Sequence, residues 1–236
     1  MNTQQKVAIV TGASQGIGAA LVTELRERNY RVVATSRSIT ASDDPGVLVV
    51  AGDIGSADTA KRVVSEGLAR FGRIDLLVNN AGIFIAKPFT QYTGADFASK
   101  IATNVAGFFH ITQAAVEVME RNRSGHVVSI TTSLVDHANV NVPSVLASLT
   151  KGGVNAATKS LAIEYAARGV RFNAVSPGII KTPMHPAESH AALSALHPMG
   201  HMGEMRDIVE AVLYLDNASF VTGEILHVDG GQSAGH

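Results

Sequence analysis

Seven short apolar runs, at residues 7–10, 31–34, 47–50, 76–78, 126–130, 171–175 and 224–228, alternate with helical patterns at about 16–28, 56–71, 93–121, 142–167 and 205–216. That alternation leaves few folds open. Nearly unbroken apolar strands need cover on both faces, and helix-length crossovers let neighbouring strands run parallel. The pattern predicts an α/β fold: a Rossmann-type, doubly wound parallel sheet of about seven strands with helices on both faces. No composition break, linker or internal repeat divides residues 1–236, so a single domain is expected.

Composition removes several functions. Nineteen basic residues against twenty acidic ones give a formal charge of −1. Nucleic acid is therefore not expected as a partner, because phosphate binding needs clustered positive charge. There is no cysteine, which excludes disulfides, thiolate catalysis and zinc–thiolate sites. The start, Met1 to Lys6, is polar, and no apolar run reaches the roughly 20 residues that span a bilayer. No membrane association and a cytoplasmic location are the expectation.

The first apolar run leads into Thr11-Gly12-Ala13-Ser14-Gln15-Gly16-Ile17-Gly18 and then a helical pattern. Three glycines here have separate tasks: a tight turn, close approach of backbone to a pyrophosphate, and close helix–sheet packing. The helix start offers free N–H groups and its positive dipole end to phosphate. An ordinary strand-to-helix turn is the simpler alternative, but the position after strand one of a βαβ series favours a dinucleotide.

The spacing Gly-x-x-x-Gly-x-Gly resembles the cofactor motif of the short-chain dehydrogenase/reductase family. Asn79-Asn80-Ala81-Gly82 resembles that family's second hallmark, Arg171-Phe172-Asn173-Ala174-Val175-Ser176-Pro177-Gly178 the third, and Val228-Asp229-Gly230-Gly231 the usual end of the last strand. The resemblance implies a nicotinamide dinucleotide. It would be held by Gly12, Ser14, Gln15, Gly16, Ile17 and Gly18 at the phosphates, and by Asp53 and Ile54 at the adenine. Asn80, Ala81 and Gly82 would line the crevice, and Pro177, Gly178, Ile180 and Thr182 would face the nicotinamide. Asn80 has a second reading as a turn-stabilising residue, and the two roles are compatible.

Cofactor choice in this fold is made at the end of strand two. Ser36 stands where an NAD enzyme would place an acid, and Arg37 follows it. With no carboxylate to repel a 2′-phosphate and a guanidinium to hold it, NADP(H) is favoured and NAD(H) is the alternative. The family's second common basic position, inside the glycine loop, is the neutral Gln15.

The resemblance breaks at the reacting centre. Family members use an Asn, a Ser and a Tyr-x-x-x-Lys pair, in which the ammonium lowers the phenol's pKa and binds the nicotinamide ribose. Asn104 and Lys151 match the Asn and the Lys. Four positions before Lys151 stands Ala147, so the tyrosine is missing, and no register shift supplies one. Thr132 best fits the serine position, with Ser133 next to it. Three readings stay open. A reductase could draw its proton through a Lys151-held water, Thr132, Ser133 or His137. The substrate could need little protonation. Or turnover has been lost, leaving a dinucleotide-dependent sensor or scaffold. Retention of Asn104, Lys151 and the hydroxyls favours an oxidoreductase acting on a small carbonyl or alcohol.

Residues 183–204 resemble the family's variable substrate lid, with four incidental histidines rather than a metal site. Tyr92 is expected as a polar loop residue. The helical patterns at 93–121 and 142–167 are apolar around much of their circumference, and a homo-oligomer, dimer or tetramer, is expected through them.

Overall fold

In the computed structural model, which describes residues 5–235, the seven expected strands are all present. Met1 to Gln4 and His236, the ends of the expected domain, lie outside the described residues. In chain order the elements are β1 (Val7–Thr11), α1 (Gly16–Glu27), β2 (Arg31–Ser36), β3 (Val47–Ala51), α2 (Ala57–Phe71), β4 (Leu76–Asn79), α3 (Gly94–Lys100), α4 (Gly107–Arg121), β5 (Gly125–Ile130), α5 (Val145–Tyr165), β6 (Val170–Pro177), α6 (His190–Ser194), α7 (Met205–Asn217) and β7 (Ile225–Val228). The strands form one parallel sheet in the order β3-β2-β1-β4-β5-β6-β7.

Alternation along β1 shows why both faces need cover. Ala8 and Val10 join an apolar cluster with Leu21, Leu25, Ile208 and Val212 of α1 and α7. Val7 and Ile9 join the opposite cluster, with Val63 of α2, Ile111 and Met119 of α4, and Ala162 of α5. Between β1 and β4 the direction of strand succession reverses. This switch point opens a crevice at the carboxyl ends of the strands, where open α/β sheets bind ligands.

Two helical expectations are corrected. The stretch 93–121 is not one α-helix: a π-helical turn, Ile101–Ala106, separates α3 from α4. Such a turn accommodates one extra residue, and Asn104 sits inside it, anchored from its side chain as described below. The stretch 142–167 begins its α-helix only at Val145. Pro143 lies just before, with its carbonyl accepting the Lys87 amide, and a residue preceding proline is steered away from helix.

Candidate active site

Gly12 and Gly16 both adopt left-handed backbone, at φ 66° and 57°. At Gly12 a Cβ would stand 2.9 Å from the Ala81 Cα, and at Gly18 one would stand 2.2 Å from the Gly12 carbonyl oxygen. The loop therefore tolerates no side chain at these points, and the β4 end presses directly on it. Asn80 Nδ2 donates to the carbonyls of Thr11 (2.9 Å) and Gly12 (3.2 Å), so its turn-stabilising role is realised. The Thr11 hydroxyl accepts from the amides of Asn80 and Ala81, at 3.1 and 3.0 Å.

The loop fits the phosphates of a dinucleotide. Gln15 caps α1 with extended backbone but no side-chain hydrogen bond, so the first amides of the helix face outward unclaimed by a cap. Ser14 and Gln15 are exposed beside it, and Ile17 is half-buried. At the end of β2 the Ser36 hydroxyl is buried and has no hydrogen-bond partner among the described residues. Arg37 is exposed next to it and forms no ion pair among the described residues. Asp53 is exposed and accepts from the Gly55 amide at 2.9 Å. Ile54 is buried, its methyl packed over Gly107.

Asn104 and Lys151 converge at Gly82. A Cβ there would lie 3.3 Å from Lys151 Nζ and 3.5 Å from Asn104 Oδ1. Asn104 accepts from the Ile83 amide (3.0 Å) and donates to the Ile83 carbonyl and the Thr150 hydroxyl, each at 3.2 Å. These three bonds pin the π-turn to the segment after β4 and to α5. Lys151 Nζ donates to the Ile130 carbonyl at 2.7 Å, at the carboxyl end of β5. Burial pushes its pKa down to about 8, and the nearby charge of Lys100 adds to the effect.

The two neighbouring hydroxyls separate. Thr132 is half-buried and accepts from the Leu134 amide at 3.4 Å, opening a short 3₁₀ turn. Ser133 is buried and donates to Gln232 Oε1 at 2.9 Å, so its hydroxyl is engaged with the C-terminal segment rather than with Lys151. His137 continues this turn, its amide on the Ser133 carbonyl. Tyr92 is spoken for by the Ile85 carbonyl at 2.8 Å. Ala147 is buried near the start of α5.

On the far wall, Pro177 ends β6 and Gly178 has no room for a side chain: a Cβ would meet His197, Gln232 and Asp229, each at 2.9 Å. The Ile180 side chain is in the core, while its backbone bridges Gly203 through the Ile179 carbonyl and the Lys181 amide, using neither the N–H nor the C=O of Ile180. Thr182 stands over Gly16, 3.7 Å from where its Cβ would be. The stretch 183–204 contains α6, but His197 within it is 4% exposed and accepts from the Ile179 amide at 3.0 Å. That histidine anchors the stretch to the segment after β6, a role its sequence context did not reveal. Among the described residues no cluster of three metal-ligating side chains occurs.

One feature of the site escaped sequence reasoning. Lys100, the last residue of α3, is 0% exposed, and its Nζ has no hydrogen-bond partner among the described residues. The signal was present: a lysine one turn before Asn104, on the same side of the helix.

Comparisons with known proteins agree with this fold. Residues 12–233 match the family model described as enoyl-(acyl carrier protein) reductase. The chain is 34% identical over 242 residues to the 3-oxoacyl-[acyl-carrier-protein] reductase FabG of Vibrio cholerae, covering 98% of each chain. It is 33% identical to the glucose 1-dehydrogenase of Gluconobacter oxydans, across 96% of this chain and 91% of that one. Among solved structures it is similar to ElxO with NADP bound, at TM-score 0.92 and 29% identity over 98% of this chain and 100% of that one. A 3-ketoacyl-(acyl-carrier-protein) reductase from Brucella melitensis complexed with NADH aligns at TM-score 0.86 and 28% identity, over 97% and 98% of the two chains.

Proposed function

The chain belongs to the short-chain dehydrogenase/reductase family, and from that premise we propose that it is an NADP(H)-dependent oxidoreductase acting on a carbonyl/alcohol pair. The bound nicotinamide would supply or take up the hydride. Gly12, Ser14, Gln15, Gly16, Ile17 and Gly18 would hold the pyrophosphate, and Ser36 and Arg37 the adenosine 2′-phosphate. Asp53 and Ile54 would flank the adenine, with Asn80, Ala81 and Gly82 beside the ribose. Pro177, Gly178, Ile180 and Thr182 would shape the nicotinamide wall. Lys151 would bind the nicotinamide ribose, Asn104 would fix its surroundings, and Thr132 would hold the substrate oxygen in place of a serine.

The observation that carries the reading is Lys151: an ammonium withdrawn from water, paired among the described residues with the Ile130 carbonyl, beside Asn104 and the crevice. The scaffold reading draws on Ala147 alone, where the family's phenol is absent. Relatives described as 3-oxoacyl reductases and as a glucose dehydrogenase give the test substrates. NADPH oxidation with acetoacetyl-coenzyme A, or NADP reduction with D-glucose, supports an enzyme. NADPH binding without turnover of either supports the scaffold.

The cofactor assignment has its own test. A hydrogen-bonded charge pair to the 2′-phosphate contributes about 1.5–3 kcal/mol, so Arg37→Ala should weaken NADPH by roughly 10- to 100-fold. NADH affinity, measured by the same fluorescence titration, should stay within about twofold, since its ribose lacks that phosphate. Equal losses for both would sink the role of Arg37.

The same reading includes a homo-oligomer. Phe109 on α4 and Leu149 and Ile163 on α5 are exposed large apolar side chains on the two helices that flank the reacting centre. No helix among the described residues is long and apolar enough to cross a membrane.

A further inference from the structure

Lys100 occupies a place that ordinary folding does not explain. Lysine is almost never fully buried without a partner, because stripping water from an ammonium is expensive. Yet among the described residues its Nζ donates no hydrogen bond, and the Phe84 ring lies with its centroid 5.2 Å away. The acid nearest in sequence, Asp96 one turn back, is already bound to Lys87 at 2.8 Å and to the Thr93 cap. Among the described residues Lys100 forms no ion pair, and its charge is close enough to lower the pKa of Lys151 on α5.

Its location follows from helix register. The α3–α4 stretch and α5 are both crossovers from the carboxyl end of one strand to the amino end of the next parallel strand, so they run side by side in one direction. The Asn104 Nδ2 to Thr150 Oγ1 bond, 3.2 Å, fixes their register. Lys100 lies four residues before Asn104, and Ala147 lies four residues before Lys151. Stepping back from Asn104 and Thr150 by one turn brings Lys100 level with the turn of α5 that holds Leu146 and Ala147, where α3 packs on α5. The register thus sets the buried Lys100 at the level of α5 where the family carries its phenol and this chain has the small side chain of Ala147.

Resting on the oxidoreductase reading above, we propose that the Lys100 ammonium is the proton donor to the substrate carbonyl, standing in for the tyrosine absent at position 147. As hydride reaches the carbonyl carbon, the C=O π pair withdraws to oxygen. One Nζ–H bond of Lys100 breaks, its electron pair stays on nitrogen, and the oxygen takes the proton. The carbonyl becomes an alcohol, the dinucleotide is left oxidised, and water reprotonates the amine. Burial lowers the Lys100 pKa to about 8, which keeps the acid charged at neutral pH yet ready to release its proton. Lys151, held on the Ile130 carbonyl, keeps its separate task.

The test uses NADPH and acetoacetyl-coenzyme A with wild type, K100M, K100R and the double variant K100M/A147Y. Each is checked for fold and NADPH affinity by thermal shift. The proposal expects K100M and K100R to lose at least about 100-fold in kcat with NADPH affinity unchanged, because arginine keeps the charge but releases no proton. The double variant, with a phenol four residues before Lys151, should recover at least about tenfold. K100M should also melt several degrees higher than wild type at pH 7, with the gain fading between pH 8 and 10.5 as the amine of the wild type loses its charge. An active K100M or K100R overturns the proposal while leaving the oxidoreductase reading intact, as does a K100M that melts lower at pH 7. A folded, NADPH-binding double variant without recovery overturns the claim that the two groups share one place. A wild type that binds NADPH and reduces nothing overturns both readings.

Discussion

Replacing Lys151 with methionine is expected to lower kcat for NADPH-dependent carbonyl reduction by about 10²- to 10⁴-fold, with the fold intact. Methionine is similar in length and fills the space between Asn104, Gly82 and β5 without a charge to desolvate. The melting temperature at pH 7 should therefore hold or rise. Burial has already pushed the Lys151 pKa down to about 8 from the ordinary 10.5, the charge of Lys100 helping, so the folded state resists the charged form. That penalty is full below pH 8 and disappears between pH 8 and 10.5, the window in which the unfolded chain binds the extra proton. Wild-type turnover should decline above about pH 8 as the ammonium is lost. Steady-state kinetics from pH 6 to 9.5, with melting curves on the same samples, decide the matter. A variant that keeps kcat within threefold would make Lys151 a structural lysine on the Ile130 carbonyl, and the reacting centre would have to be sought elsewhere.

The sheet was legible because of what a parallel sheet demands. Strands covered on both faces carry apolar residues continuously, and each of the seven runs became a strand with ends shifted by at most two residues. β6 extends to Pro177 because the last residues still pair with β7 and proline stands at the strand end, where a missing donor costs little. The glycine loop was legible for a similar reason. Left-handed backbone at Gly12 and Gly16 and the 2.2 Å approach at Gly18 each demand glycine, so the demand is written in the sequence.

The reacting centre was legible only in part, because its geometry depends on contacts that periodicity does not encode. The π-turn at Ile101–Ala106 keeps an apolar pattern close to that of an ordinary helix, and only the anchoring of Asn104 to Ile83 and Thr150 reveals it. Counting along β5 left Thr132 and Ser133 side by side. A short 3₁₀ turn and Gln232, ninety-nine residues on from Ser133, draw them apart. Lys100 drew no role and His197 was grouped with the incidental histidines of residues 183–204, since both residue types usually lie at the surface. Their burial follows from the packing of α3 on α5 and of the 183–204 stretch on β6, neither of which has a local signature.

The largest loss of stability is expected far from this crevice, at Asp216. At the amino ends of the strands its carboxylate accepts from Tyr30 before β2, from Lys6 before β1 at 3.0 Å, and from His126 of β5 at 3.3 Å. His126 in turn accepts from Asn173 of β6 at 3.0 Å, and burial lowers its pKa, so it is neutral with its proton on Nδ1 toward Asp216. One carboxylate thus ties the end of α7 to four strands of the sheet. Asp216→Ala strands a buried imidazole N–H and a buried phenol, and losing one partner from such a network costs about 3–5 kcal/mol. At roughly 2–4 °C per kcal/mol for a chain of this size, the melting temperature should fall by about 6–20 °C. Asp216→Asn, which can still accept one of these bonds, should lose less. Burial by itself would raise the Asp216 pKa, but the bonds from His126, Tyr30 and Lys6 prevail and hold it well below its ordinary 3.8. The network's contribution is therefore full above about pH 4 and is lost as pH falls toward the lowered folded value, so wild type's advantage over Asp216→Ala should narrow in calorimetry between pH 4 and pH 3 without vanishing. A variant that melts within 2 °C of wild type at pH 7 would mean that water replaces the carboxylate at no cost, and that the sheet's amino ends are held by apolar packing alone.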